Sequence, residues 1–183
     1  MEKHLTTNEL EAGLDAIYQS PKDNGVLDMI VRRPQVEERE VLTEGRLNVT
    51  EGLEGDNWKA RGSASTSDKS AHPEMQINIM NSRVIQLLAQ EKDRWQLAGD
   101  QLFIDMDLSA ENLPAGTKLS IGEAILEVTP VPHSGCKKFT MRFGLEAMKF
   151  VNSPLGKELH LRGINAKVIQ AGAIRTGDDV KKI

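Results

Sequence analysis

The stretch Pro130-Val131-Pro132-His133-Ser134-Gly135-Cys136-Lys137-Lys138 gathers the residue types best suited to chemistry in this chain. Two prolines stiffen the exit from an apolar run, and Gly135 lets the backbone turn sharply or approach a ligand. Cys136 follows His133 by three residues, sits beside Lys137 and Lys138, and has Arg142 nearby. Nearby positive charge helps a thiol lose its proton near neutral pH. A thiolate is a nucleophile and a soft ligand for thiophilic metals. A lone cysteine also reads as a small, inert hydrophobe, and on residue chemistry alone both readings stay open.

A second candidate is Asp107-Leu108-Ser109-Ala110-Glu111-Asn112-Leu113-Pro114. Its polar side chains suit the amide or phosphate groups of a ligand. The simpler reading is a turn whose Asp, Ser and Asn bond to their own backbone. Gly55-Asp56-Asn57-Trp58 and Ala98-Gly99-Asp100-Gln101 each read most simply as tight turns. The chain contains no Gly-x-Gly-x-x-Gly loop, no phosphate loop ending in Gly-Lys-Ser/Thr and no Gly-x-Ser-x-Gly elbow. His4, His72, His133 and His160 are scattered without metal-ligand spacing. Common hydrolase, kinase and zinc-protease chemistries therefore have no support.

The elements that must position these residues are short. Thr6 and Glu9 fit a capping box, and Leu10, Leu14 and Ile17 then share a helical face. A turn-rich stretch, Ser20 to Gly25, ends that helix, which is expected to pack on the outside of the main body. Strand-like runs follow at 26–31, 75–80, 102–106, 118–121, 124–129 and 164–170, with a last short strand near Val180. The run 75–80 alternates with period two, as in a half-buried strand, and Asn81 can cap the helix after it. Residues 118–121 and 124–129 form a hairpin candidate. Residues 61–67, Arg-Gly-Ser-Ala-Ser-Thr-Ser, read as a mobile, solvated connector. A helical stretch covers 144–150, and no internal repeat is visible. Many short strands, Gly-rich turns and a few helices predict a mainly β fold, a barrel with peripheral helices.

Composition bounds the rest. The 183 residues fit one domain with a small appendage: a helical extension over 1–24 and a barrel domain over 25–183. Aromatic residues are only 4% of the chain, so the core must be mostly aliphatic. A net charge of -4 argues against nucleic-acid binding. A single cysteine excludes an internal disulfide and a four-thiolate zinc site. No apolar run approaches a membrane span, and the N-terminus shows no signal-peptide core, so a cytoplasmic setting is expected.

Several segments together resemble the MOSC domain, the C-terminal domain of molybdenum-cofactor sulfurases. They are Gly99-Asp100-Gln101-Leu102, Asp107-Leu108-Ser109, Glu111 to Thr117, Leu119-Ser120-Ile121-Gly122 and Pro132 to Phe139. Arg142-Phe143-Gly144, Arg162-Gly163-Ile164-Asn165-Ala166 and Ile174 to Asp178 continue it. The resemblance is dense from about Gly99 to Val180, and its most specific element is Cys136 in its His-x-Gly-Cys setting. It implies a closed β-barrel of the pyruvate-kinase barrel type. It also implies work around the molybdenum (molybdopterin) cofactor: reduction of N-hydroxylated compounds with Cys136 on the metal, or sulfur carriage on Cys136 as a persulfide. Cys136 and His133 are then the catalytic candidates, with Cys136 also the metal ligand. Asp100, Gln101, Asn112, Lys137, Lys138 and Arg142 are the candidates for cofactor contacts. The cationic ones suit the cofactor's phosphate. The His-Gly-Gly stretch of many relatives is replaced here by Arg61-Gly62-Ser63. The desulfurase domain of full-length sulfurases has no counterpart in this sequence, so pyridoxal phosphate is not expected. Nor does the appended N-terminal β-domain of the amidoxime reducers. A small-molecule cofactor or substrate is expected, with a separate electron- or sulfur-donor protein, and no nucleic acid or membrane. The alternative is a non-enzymatic binding barrel in which Cys136 is structural.

Overall fold

A computed structural model describes residues 3–183 of the chain. Its strands are β1 (Gly25–Arg32), β2 (Glu40–Leu42), β3 (Glu44–Asn48), β4 (Gly52–Leu53), β5 (Ile77–Asn81) and β6 (Leu102–Asp105). They continue with β7 (Lys118–Ile121), β8 (Ala124–Val128), β9 (Ile164–Gln170), β10 (Gly172–Arg175) and β11 (Asp179–Lys182). The α-helices are α1 (Thr7–Ala12), α2 (Leu14–Tyr18), α3 (Trp58–Arg61), α4 (Ser82–Ala89), α5 (Lys137–Phe143), α6 (Leu145–Asn152) and α7 (Pro154–Glu158). Helix and strand each take a little over a quarter of the chain, 29% and 28%.

Seven strands close into a barrel in the order β1-β11-β7-β8-β9-β5-β6, and β6 returns to β1. The pairings are antiparallel except for β5 with β6. That one parallel pair needs a crossover, which α4 and the 3₁₀ segment Lys92–Ala98 supply. The 118–121 and 124–129 hairpin forms as β7 and β8, with Ile121 opposite Ala124. A separate three-stranded sheet, β10-β3-β4, contributes Leu47, Leu53 and Ile174 to the barrel core.

Closure buries one face of every barrel strand, and that interior is aliphatic, from Leu27 and Ile30 through Ile79 and Leu126 to Val168. The few aromatics gather outside the barrel. Trp95, Phe103, Phe139 and Phe143 join Leu10, Ile17, Met80 and Val84 in a second core between barrel and helices. This layer explains why β5 is buried along its whole length rather than on one face. Ile77 and Ile79 point into the barrel while Met80 is covered by the helical layer. In β1 a register shift between Leu27 and Met29 flips the alternation, so that Leu27 and Ile30 face the barrel interior while Met29 and Val31 face the helical layer.

The capping box forms: the Thr6 N–H donates to Glu9 at 2.8 Å and the Glu9 N–H to Thr6 Oγ1 at 3.4 Å. The single helix expected after it is broken into α1 and α2 at Gly13, where an added Cβ would lie 2.4 Å from the Leu87 side chain. Asn81 caps α4, accepting from the Arg83 N–H at 2.8 Å.

Candidate functional site

The site is built over buried charge. Asp100, in the turn before β6, is fully buried, and both carboxylate oxygens are used. Oδ2 accepts from Arg162 Nη1 at 2.7 Å, and Oδ1 lies 2.9 Å from His133 Nε2. Burial pushes the Asp100 carboxyl up, but Arg162 and His133 together outweigh it, and the group is held below the usual carboxylate range. Burial, then the Arg162 charge, pushes His133 down despite Asp100, so its imidazole is neutral at neutral pH. An ionised Asp100 can only accept, so His133 carries its proton on Nε2. Nδ1 is left with a lone pair and no hydrogen bond among the described residues. Arg162 also donates to Ala98 O at 3.0 Å and lies 4.9 Å over the Phe139 ring. The turn leading into β9 and helix α5 are thereby tied to the same acid.

A second buried pair lies alongside. Arg33 grips Asp56 through Nε at 2.9 Å and Nη2 at 2.7 Å, and its Nη1 reaches Gly99 O and Asn78 Oδ1. Asn78 passes the network to Asn165 at 2.6 Å, and Gln101 Oε1 accepts the Asn78 N–H at 2.7 Å. Asn165 Nδ2 in turn holds Val131 O at 3.0 Å, fixing the root of the 130–136 segment. Both Gly-Asp turns, 55–56 and 99–100, therefore supply counter-charges to buried arginines. Their local sequence shows only the turn.

Above this floor lies a cavity of about 360 Å³. Cys136, His133, Lys138, Phe139 and Arg142 form one wall; Arg33, Glu37 and Arg39 form another; Asn57, Trp58, Arg61, Gly62, Ser63 and His72 form a third. With Arg33 neutralised by Asp56, Arg39, Arg61, Lys138 and Arg142 face one lining carboxylate, Glu37. This excess of cations sits on a chain of net charge -4. Arg142 donates to Leu97 O at 2.7 Å and to Glu37 at 2.6 Å, and Glu37 also pairs with Lys138. Lys138, then Arg142, holds the Glu37 carboxyl below its ordinary range. Arg39 is pushed below the usual arginine value by burial and then by Arg142 and Arg33. Arg61 is pushed down by burial and then by Arg33, and its guanidinium makes no hydrogen bond among the described residues. Asn57 Oδ1, on the same wall, is a buried acceptor without a partner. The cavity lining carries an excess of positive charge over its one carboxylate. Cys136 is exposed at the N-cap of α5, and its thiol caps nothing.

Of the residues singled out from sequence, Cys136, His133, Lys138 and Arg142 meet at this cavity, and Asp100 reaches it through His133. Gln101 lies beneath it, donating to Gln76 O at 3.0 Å. Lys137 is exposed and does not line the cavity. Asn112 lies elsewhere, bonding Lys22 O and Asp107 O and accepting from Lys182. With Ser109 bound to Asp107, the 107–114 stretch is a turn that satisfies its own backbone. The residues that sequence reasoning missed are Arg33, Arg39, Asn57 and Arg61. The one signal for them is the density of arginines at 32, 33, 39 and 61 among turn residues. Among the described residues no group of three or more His, Cys, Asp or Glu is placed to hold a metal ion, and no helix is long and apolar enough to cross a membrane.

The family model of the MOSC domain matches residues 66–181, more than half of the chain. No curated protein matches significantly. Among solved structures, the YuaD protein from Bacillus subtilis is similar over 87% of this chain and 95% of its own, with 16% identity and a TM-score of 0.61. YiiM from Escherichia coli is similar over 86% of this chain and 69% of its own, with 20% identity and a TM-score of 0.55. YiiM from Geobacillus stearothermophilus is 12% identical over 89% of this chain and 74% of its own, with a TM-score of 0.54. At these identities the likeness is one of fold.

Proposed function

Because the chain belongs to the MOSC domain family, we propose that its cationic cavity binds an anionic molybdopterin-type cofactor, with Cys136 offering sulfur to the metal. The observation that carries this reading is the pairing of a thiol with an excess of cations around one cavity. The residues present fit such a group. Arg61 and Arg39, with Arg142, suit a phosphate through guanidinium N–H donors. Asn57 Oδ1 is an orphaned acceptor for an N–H of the organic part. A metal at Cys136 must bring most of its ligands with it, as one already chelated by an organic cofactor does, since no protein cluster would hold it. Arg33, Arg39, Asn57 and Arg61 precede the segment matched by the family model, yet they share the same cavity.

When bound, the cofactor supplies two-electron redox chemistry at molybdenum. The chain's own residues do the rest. Cys136 anchors and tunes the metal through a soft sulfur. His133, its Nε2 proton held by Asp100, presents Nδ1 as a base that accepts and returns a proton. Asp100 and Arg162 are positioning residues that fix the His133 tautomer and ring. The reaction class is reduction of an N-hydroxylated compound, with electrons from a separate donor protein, in a reducing, cytoplasmic setting that suits an exposed free thiol. The exposure of Cys136 favours a second reading, persulfide carriage for cofactor sulfuration, in which the Cys136 thiolate takes the outer sulfur of a donor protein's persulfide and the donor leaves as a thiolate.

The test is elemental analysis of protein made in a host that synthesises the cofactor. The expected result is molybdenum and phosphorus in equal amounts, both reduced in Arg61→Met and Arg142→Met. Neither element in wild type, or full retention in the arginine variants, would overturn the reading. Persulfide trapped on Cys136 without molybdenum would select the second one.

A further inference from the structure

The Pro130–Cys136 segment separates the cationic cavity from another of about 580 Å³ whose character is opposite. Its lining is mainly apolar and includes Leu113, Val128, Val131, Pro132, Val151 and Ile164. We infer that this cavity is a second binding site, which takes an uncharged, mainly apolar small molecule carrying an N–H or O–H donor. The volume lies within the ordinary range of small-molecule pockets, which combine apolar walls with a few directed polar groups.

The polar groups decide the ligand class. Most are already satisfied internally. Thr129 Oγ1 donates to Glu74 O at 2.6 Å, and Asn165 is held by Asn78 and Val131. Asn152 makes a two-way bond with Gly135, accepting at 2.9 Å and donating at 3.1 Å. Ser134 and Lys157 are exposed at the rim. Two imidazoles differ. His133 lines both cavities, and its Nε2 is committed to Asp100. His160 places Nδ1 2.7 Å from Leu108 O; a carbonyl only accepts, so the proton sits on Nδ1 and Nε2 is a bare acceptor in the neutral ring. Among the described residues each histidine therefore leaves one ring nitrogen without a partner, and in the neutral imidazole that nitrogen accepts. No carboxylate lines this cavity. An apolar molecule with a donor at one end matches that inventory; a phosphate does not.

The wall is also held in conformations that side-chain packing must enforce. His160 has φ +49°, the left-handed region that non-glycine residues rarely occupy. Gly163 has φ +117°, and an added Cβ would lie 2.3 Å from Ile79 O and 3.1 Å from His133 Cδ2. A side chain at 163 would collide with the Ile79 carbonyl and press on His133, so glycine leaves room for the shared imidazole. That a molecule bound here is the substrate of the cysteine site rests on the function proposed above. That it binds does not.

The probe pair is indole, an apolar body with one N–H, and 1-benzothiophene, the same shape without the donor. Each is titrated into methyl-labelled protein and followed by NMR, with inorganic phosphate titrated separately. The expected result is saturable movement of the Val128, Val131, Val151 and Ile164 methyl signals by indole. Binding of 1-benzothiophene should be about fivefold weaker, the worth of one neutral hydrogen bond. Ala115→Trp and Ala110→Phe, which fill the cavity from its exposed rim, should each abolish the indole response and leave the phosphate response of the Val36 methyls, in the cationic cavity, unchanged. No saturable shift, shifts at the cationic cavity instead, or a response that survives both filling variants would overturn the inference. Equal affinity for the two probes would overturn the donor requirement. If indole binds as expected and phosphate does not, the anion reading fails and this site stands.

Discussion

Asp100→Asn is the sharpest structural perturbation available. Asp100 accepts from Arg162 with one oxygen and pairs with His133 through the other, with a side chain wholly buried. An asparagine has the same shape but one acceptor oxygen. If that oxygen faces Arg162, the amide N–H2 meets His133, whose imidazole must move its proton to Nδ1 to accept from it; if it faces His133, the amide confronts the guanidinium. Either way Arg162, 7% exposed and with Nε already unpartnered, loses its counter-charge. Removing one partner of a buried ion pair costs about 3–5 kcal/mol. For a domain of this size that corresponds to a fall of roughly 6–20 °C in Tm. The assay is a urea and thermal melt of wild type, Asp100→Asn, Arg162→Met and the double variant. Because replacing both charges by apolar or neutral groups is often tolerated, the double variant should be clearly more stable than the sum of the single losses predicts. A single-variant loss below about 1 kcal/mol, the scale of an exposed ion pair, or strictly additive losses, would refute the claim that these groups form one buried unit.

Three further outcomes are expected. Both Asp100 and His133 have pKa values depressed by folding. Their stabilisation is therefore present at neutral pH and lost on acidification, His133 beginning as pH falls below its ordinary 6.5 and Asp100 below its ordinary 3.8. Urea midpoints at pH 7.5 and 5 should fall with pH in wild type and fall less in His133→Gln; equal slopes would contradict the assignment. Cys136→Ser should leave Tm nearly unchanged, within about 0.5 kcal/mol, because the thiol is exposed. Molybdenum-linked activity and persulfide labelling should be lost; a large drop in Tm with labelling intact would make the cysteine structural. Glu37→Gln frees Lys138 and Arg142 from a carboxylate that occupies them without ligand. Phosphate affinity, measured by calorimetry, should rise up to about fivefold, the upper range of an exposed ion pair; unchanged or weaker binding would place the anion elsewhere.

What the sequence made legible was local. The Thr6–Glu9 capping box, the Asn81 cap and the β7–β8 hairpin each depend on residues a few positions apart, and each forms. What packs against the helix at Gly13 was not legible, because it is Leu87, more than seventy positions away. The same holds for the site. Arg61-Gly62-Ser63 reads as a solvated connector by composition, and becomes a cavity wall only when the barrel brings it opposite Cys136. Asp56 and Asp100 read as turn residues, because their arginine partners lie 23 and 62 positions away. The available hint was Arg162 within the apolar run Leu161 to Ala166, since a buried arginine demands an acid somewhere in the fold.

The central claim, that Cys136 offers its sulfur to a metal held in the cationic cavity, is tested most directly by molybdenum K-edge X-ray absorption. Wild type and Cys136→Ser, both purified from a cofactor-competent host, are compared. The account predicts molybdenum in wild type and one fewer sulfur neighbour at the metal in the variant. Molybdenum with an identical sulfur shell in both proteins, or none in wild type, would contradict it.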